Sequence, residues 1–138
     1  MGHSWVEFGG RSVPMRDAEI VTVVKVVADL ARRAAGWPEP TDNVTALLHA
    51  WDTLIDEAYA PGGIDVGLDR FVQTEADRAC LLGLLDRARG TLRDFGAAVP
   101  ADYLNRVVDA PGVLTFGDWP TTDLLGKVDT FARVLAGD

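Results

Sequence analysis

The chain has 138 residues, of which 48% are hydrophobic and 25% charged. These values fit one folded domain with its own core and argue against an intrinsically disordered chain. Its formal net charge is −8 and its pI about 4.6, which argues against binding to nucleic acid or to an anionic membrane, because both need a basic surface.

Residues 1–16 predict a small β-hairpin. Two short runs, residues 5–8 and 12–15, flank Gly9-Gly10-Arg11, where paired glycines favour a tight turn. Pro14 lacks a backbone N–H and therefore restricts the second run to an edge strand. No basic segment followed by a long apolar stretch is present, so no signal peptide is expected. No apolar run approaches the about 20 residues that a membrane span needs.

A long helix is predicted after the hairpin. Asp17 can cap its N-terminus, and apolar residues recur at helical spacing from Ile20 to Ala34. Because this run is rich in β-branched residues, a buried strand is a competing interpretation. The length and the alanine-rich continuation favour a helix, which Gly36 and Pro38 end.

A second helix is predicted after Thr41, which can cap it. Its apolar residues form one wide stripe, and Trp51 belongs to that stripe. At 100° per residue, His49, Asp52 and Asp56 lie on the opposite face, where we expect them to meet water or a partner.

A connecting segment and the strongest helix follow. Residues 64–69 alternate in hydrophobicity and predict a short extended segment, while residues 68–72 predict a helical turn. Thr74 and Asp77 approximate a capping box, with Asp in place of the usual Glu. The helix that begins there carries apolar residues at helical spacing as far as Phe95.

The C-terminal part predicts two helices separated by a strand. Residues 101–108 form a short helix behind Pro100, residues 113–116 form an edge strand, and Thr121 or Thr122 caps the last helix. Together the elements predict a mainly α fold, a small orthogonal helical bundle of about four to five helices with a minor N-terminal β-hairpin. Residues 1–138 are expected to form one domain.

Negative charge is concentrated in the middle of the chain. Residues 39–77 hold nine acidic residues and one basic residue, a net charge of −8, whereas the flanking segments nearly balance. One interpretation is a solvated face that keeps the protein soluble. The other is a patch that steers a basic partner.

The sequence contains no recognisable catalytic motif. The serines lie outside a Gly-x-Ser-x-Gly setting. The one cysteine, Cys80, could formally pair with His49, but it lies in an apolar run where a thiol usually acts as a small hydrophobe. A lone thiol cannot form an internal disulfide, so a reducing, cytoplasmic location is expected.

A metal site is the other chemistry to consider. His49, Asp52 and Asp56 share a helical face at a spacing that could hold a metal, but further ligands would have to come from elsewhere. A solvated acidic face is the favoured interpretation of these residues. We therefore predict no enzymatic activity, no cofactor and no metal site.

Four tryptophans are many for a chain of this size. Trp51 lies on an apolar stripe and is predicted to be in the core. Trp37 and Trp119 lie in proline-flanked connections, and Trp5 lies in the hairpin. Each of these three either covers an edge of the core or anchors a protein interface.

Three segments and the acidic balance point to a class of proteins. The segments are Trp5-Val6-Glu7-Phe8-x-Gly10 ahead of the Asp17 helix, residues 63–69 (Gly-Ile-Asp-Val-Gly-Leu-Asp), and the closing stretch from Phe116-Gly117-Asp118 to Leu135. In these features the chain resembles the small immunity proteins of bacterial polymorphic-toxin systems.

The resemblance implies a cytoplasmic protein that binds and neutralises a cognate interbacterial toxin. Such toxins often attack nucleic acids and carry basic active-site clefts, which an acidic surface can occlude. We expect the partner-binding residues to be carboxylates of the acidic segment with one tryptophan as an apolar anchor. They are Asp52, Asp56, Glu57, Asp65, Asp69 and Trp37.

Two other functions stay open. A helical adaptor or secretion chaperone would bind an apolar segment of an effector protein through a large exposed apolar groove. A small metal-dependent hydrolase would use His49, Asp52 and Asp56 as ligands. The first would bind its partner with little dependence on salt, and the second would be purified with a bound metal.

Overall fold

The computed structural model describes residues 3–33, 39–54, 64–109 and 116–137. Within these ranges it contains six helices and two small antiparallel sheets, which confirms the predicted mainly α fold with an N-terminal hairpin. In chain order the elements are β1 (His3–Phe8), β2 (Arg11–Arg16), α1 (Asp17–Arg33), α2 (Asp42–Asp52), α3 (Leu68–Phe71), α4 (Glu75–Arg93), β3 (Ala98–Val99), α5 (Ala101–Val108), β4 (Trp119–Pro120) and α6 (Thr121–Ala136).

The predicted hairpin is confirmed, with Arg11 in its second strand and not in the turn. Strands β1 and β2 pair antiparallel, with Val6 opposite Val13 and Trp5 opposite Pro14. Gly9 and Gly10 both have positive φ, at 59° and 83°, as a two-residue type I′ turn requires. Among the described residues no third strand pairs with β2 at Pro14, so the missing N–H of that residue leaves no ladder bond unmade there.

Helix α1 is the centre of the molecule. Every residue from Ile20 to Leu30 is buried, and the helix contacts both hairpin strands and all of α2, α4, α5 and α6. A helix that is apolar all round its circumference is stable only when it is enclosed in this way. The competing prediction of a buried strand for this run is therefore wrong.

Polar side chains within α1 are paired where they are buried. The Lys25 Nζ donates to the backbone carbonyl of Asp52 at the C-terminal end of α2, where the helix dipole favours a cation. The Asp29 carboxylate accepts from Arg33 Nε at 3.0 Å and from the Tyr103 hydroxyl at 3.1 Å. Burial, and then the charge of Asp29, raise the pKa of Tyr103, so the phenol keeps the proton that it donates.

Two of the three predicted threonine caps are confirmed. Thr41 Oγ1 accepts the N–H of Val44 at 3.2 Å, and Thr74 forms a capping box with Asp77. The cap predicted at Thr121 or Thr122 is wrong, because α6 begins directly behind strand β4. Pro120 occupies the cap position, and the Thr121 N–H donates to the carbonyl of Ala97 at 3.0 Å.

The segment before α4 was predicted to be a short extended stretch followed by a helical turn. The predicted helical turn is α3, but the residues before it pair with no strand among the described residues. Ile64 and Val66 are nevertheless buried on either side of an exposed Asp65, which is the alternation that the sequence contains. Of the strand predicted over 113–116, residues 113–115 lie outside the described ranges, and Phe116 lies in no strand.

A single cluster of buried apolar side chains joins the elements. It takes members from both strands of the hairpin, from all six helices and from β3, with Trp51 packed edge-on to Phe131 at a centroid distance of 6.2 Å. Trp51 is thus a core residue, as predicted.

Within the described residues, none of the helices combines the length and the apolar character needed to cross a membrane.

Candidate protein-binding surface

The outer face of the hairpin carries an exposed tryptophan. Side chains alternate between the two faces of a strand, and in β1 the side chains of Ser4 and Val6 are buried against the helices. Trp5 and Glu7 therefore point away from the core, and 54% of Trp5 is exposed to solvent. An indole left in water on a well-packed strand is a common anchor in protein interfaces.

A depression of about 430 Å³ lies beside Trp5. It is lined by Ser4, Trp5, Glu7 and residues 64–70, and we call it the hairpin pocket. Among its lining residues Ile64, Val66 and Leu68 are buried, whereas the charged ones are exposed. The charged groups are three carboxylates, of Glu7, Asp65 and Asp69, against the one guanidinium of Arg70, a net charge of −2.

Backbone N–H groups hold two of these carboxylates in place. Asp65 Oδ1 accepts the N–H of Gly67 at 2.9 Å, and Asp69 Oδ1 accepts the N–H of Gly9 at 3.0 Å. The second bond joins α3 to the turn of the hairpin. Gly67 has φ of 79°, and a Cβ there would lie 3.2 Å from the Phe71 ring, so this turn needs glycine.

A buried serine fixes the base of the hairpin pocket. Ser4 Oγ donates to Asp17 Oδ1 at 2.6 Å and accepts the N–H of Ile64 at 3.2 Å. The three groups come from β1, from the start of α1 and from the segment before α3. This hydroxyl therefore sets the position of β1 relative to the acidic residues that follow Ile64.

The sequence-predicted binding residues separate into three groups. Asp65 and Asp69 lie together in the hairpin pocket. Asp52 lines a different depression, of about 370 Å³ beside His49, and its carboxylate accepts from Arg32 Nη1 at 2.8 Å. Asp56, Glu57 and Trp37 lie outside the described residues.

Other acids of segment 39–77 have internal roles. Asp77 is buried and accepts from Thr41 Oγ1 at 2.7 Å, from Asn43 Nδ2 at 2.9 Å and from the N–H groups of Gln73 and Thr74. The hydrogen bonds from Asn43 and Thr41 hold the pKa of Asp77 well below its usual range. Glu75 pairs with Arg78 at 2.5 Å, and the hydrogen bond from Arg78 lowers its pKa.

The acidic segment therefore supplies more than one surface. Asp77 is a cap, Asp52 and Glu75 are paired with arginines, and Asp65 and Asp69 line the hairpin pocket. Of the expected steering residues that the structure describes, two of three lie at one place. An acidic surface at that place is completed by Glu7, which comes from outside the segment.

Trp5 and Glu7 were not among the predicted binding residues. The sequence predicted the hairpin and named Trp5 among the candidate edge or interface tryptophans, but it took Trp37 as the anchor. The signal that could have found them is the alternation of side chains along β1. If the apolar Val6 faces the core, its neighbours Trp5 and Glu7 must face outward. The pairing of these residues with Asp65 and Asp69 could not be read from the strand itself.

A metal site on the second helix was the other chemistry considered from the sequence. Among the described residues, no three of His, Cys, Asp and Glu lie close enough together to hold a metal ion. Asp52, one of the three residues considered for such a site, is bonded to Arg32. Asp56, another of the three, lies outside the described ranges.

Comparison of the chain with protein-family models, with curated proteins and with solved structures finds no match. No residue is therefore assigned a role by relationship. The exposed indole and the three carboxylates of the hairpin pocket are the features from which a function can be inferred.

Proposed function

We propose that this chain is a cytoplasmic immunity-type protein that binds and neutralises a toxin through the hairpin pocket. The observation that carries the proposal is the position of Trp5, which is 54% exposed and lies beside three carboxylates. In this proposal Trp5 replaces Trp37 as the apolar anchor. Asp65, Asp69 and Glu7 form the acidic part of the surface.

The chemistry of the hairpin pocket favours a basic protein partner. Its net charge of −2 lies on a chain of net charge −8, so a cationic surface is attracted before contact and is held in register after it. The indole contributes apolar area at a small entropic cost. A toxin that acts on nucleic acid has the basic cleft that such a surface would occlude.

The proposal is tested first by capture of the partner. Tagged wild-type protein and the Trp5→Ala and Asp65→Asn/Asp69→Asn variants are incubated with lysate of the native host, and bound proteins are quantified by mass spectrometry. We expect a basic protein that the wild type retains and both variants lose. Asp94→Asn, which removes an exposed carboxylate outside the hairpin pocket, is the matched control and should retain it.

The second step tests neutralisation. The captured protein is expressed in a bacterial host with wild-type protein or with the Trp5→Ala variant. We expect growth arrest that the wild type relieves and the variant does not. A captured protein that is harmless when expressed alone would overturn the toxin assignment, and arrest that the wild type fails to relieve would overturn neutralisation.

An adaptor or secretion chaperone is the less favoured function. It needs contiguous exposed apolar side chains, and among the described residues the large exposed ones are Trp5, Val13 and Phe95. Val13 pairs with the buried Val6 and so lies on the opposite face of the hairpin from Trp5. Phe95 lies just beyond the C-terminal end of α4, where its ring packs on Tyr103.

A further inference from the structure

We propose that the hairpin pocket binds an arginine side chain of the partner, and that Arg70 of this chain occupies part of that place when the partner is absent. This inference rests on the proposed function, because it names the chemical group that the partner brings. Arg70 then acts as an internal competitor that sets the affinity of the surface.

The carboxylates of the hairpin pocket are oriented but incompletely used. In both Asp65 and Asp69 one oxygen, Oδ1, is held by a backbone N–H, at 2.9 and 3.0 Å. Within the described residues no hydrogen bond reaches either Oδ2. Two acceptors are thus fixed in direction and open to a donor from outside, an arrangement that avoids the entropic cost of ordering them on binding.

The neighbouring groups favour a guanidinium over an ammonium. A guanidinium is planar, donates several hydrogen bonds in a fixed fork and stacks on an aromatic face. The hairpin pocket offers both kinds of contact, since the exposed Trp5 lies beside the carboxylates of Glu7, Asp65 and Asp69. A volume of about 430 Å³ is sufficient for one long side chain with its bound water.

Arg70 already approaches this place without binding firmly. Its Nη2 lies 3.9 Å from Asp65 Oδ2, too far for a hydrogen bond, and the two side chains are 63% and 75% exposed. The guanidinium instead lies over the Phe71 ring, with Cζ 4.9 Å from the centroid. An exposed, long ion pair of this kind contributes little and is readily replaced, so a partner's arginine can displace it.

The test uses short peptides and the Trp5 indole. Acetyl-Gly-Ser-Arg-Ser-Gly-amide and the same peptide with lysine or neutral citrulline are titrated into the full ¹⁵N-labelled protein. The indole N–H resonance of Trp5 is followed and is assigned from its absence in Trp5→Phe. We expect the arginine peptide to bind most tightly and citrulline to bind weakest. Equal affinity for arginine and lysine, or no shift of the indole up to the solubility limit, would overturn the inference.

Substitution of Arg70 provides the second measurement. Arg70→Gln removes the competing charge and should tighten binding of the arginine peptide about two- to fivefold, whereas Asp65→Asn should weaken it by a similar factor. Arg70→Lys keeps a cation in place and should change affinity less than Arg70→Gln. An unchanged dissociation constant in Arg70→Gln, with a wild-type thermal midpoint, would exclude the competitor role.

Failure of this inference is separable from failure of the proposed function. If the host partner is captured through Trp5 and the wild-type protein relieves the growth arrest that the partner causes, but the arginine peptide leaves the Trp5 resonance unshifted, only the arginine assignment is lost. If the arginine peptide binds and is tuned by Arg70, while capture or neutralisation fails, the pocket chemistry stands and the immunity assignment is lost. Asp94→Asn should leave the peptide affinity unchanged in either case.

Discussion

At the scale of single residues, Ser4 links three parts of the chain through one buried hydroxyl. It donates to Asp17 and accepts from the N–H of Ile64. We expect Ser4→Ala to lower the free energy of unfolding by about 1–3 kcal/mol, because a buried donor and a buried acceptor each lose a partner. Urea denaturation measures this, and Ser12→Ala, at an exposed hairpin position, should stay near wild type. Equal stability of the two variants would contradict the role given to Ser4.

Asp77 makes the stability of the protein depend on pH. Its pKa is lowered in the folded state, so its carboxylate stabilises the fold fully above the unfolded pKa of about 4 and loses that effect as pH falls below it. We expect Asp77→Asn to be less stable than wild type near neutral pH, with the difference shrinking as the pH falls below about 4. Urea denaturation at several pH values measures this. A difference that is the same at all pH values would show that charge is not the cause.

At the scale of elements, helix α6 is held at its C-terminal end by two arginines from other elements. Arg11 donates to the carbonyl of Val134 through Nε at 3.1 Å and Nη2 at 2.7 Å, and Arg78 donates to that of Leu135 at 3.3 Å. The last carbonyls of a helix have no N–H partner within the helix, and the helix dipole at this end favours a cation. The arginines therefore fasten α6 to the hairpin and to α4.

Removal of one of these contacts should loosen α6. We expect Arg11→Met to cost about 1 kcal/mol of stability and to speed hydrogen exchange in the last turn of α6. Arg16→Met, in the same strand and also exposed, is the control that loses a charge without losing this contact. Exchange rates in α6 that are the same in both variants would contradict the prediction.

The elements differ in how well their sequences predicted them. The caps at Thr41 and Thr74 were predicted correctly because their partners lie three residues away. The cap at Thr121 failed because pairing of Trp119 with Val99 fixes the preceding residues in a strand. The burial of Asp77 was equally hidden, since Thr41 lies 36 residues from it, and no local pattern reports such a distance.

At the scale of the whole molecule, the acidic hairpin pocket should govern how fast a basic partner associates. We expect the triple variant Glu7→Gln/Asp65→Asn/Asp69→Asn to slow association with the captured partner about tenfold at low salt, and the wild-type rate to fall as salt is added. Stopped-flow fluorescence measures both rates. Asp94→Asn is the control, and a triple variant that matches it would contradict electrostatic steering by this surface.

The candidate site was predicted only in part, and its construction explains why. Asp65 and Asp69 follow from the concentration of charge in segment 39–77, which is a property of the sequence. Trp5 and Glu7 meet them because the hairpin turn and α3 are joined by a bond across 60 residues. Asp52 was predicted to belong to the same surface because it lies in the same acidic segment. Its carboxylate instead accepts a hydrogen bond from Arg32 of α1.

The hydrogen bond between Gly9 and Asp69 makes the hairpin pocket a property of the folded chain and not of the hairpin alone. A hairpin cut from the chain would keep Trp5 but lose Asp65 and Asp69, so under the proposed function only intact, folded copies would bind the partner. Ligands that bind only the native state shift the equilibrium away from the forms that proteases digest. Under the proposed function, copies in excess of the toxin would be degraded first, and the cellular abundance of this protein would follow that of its target.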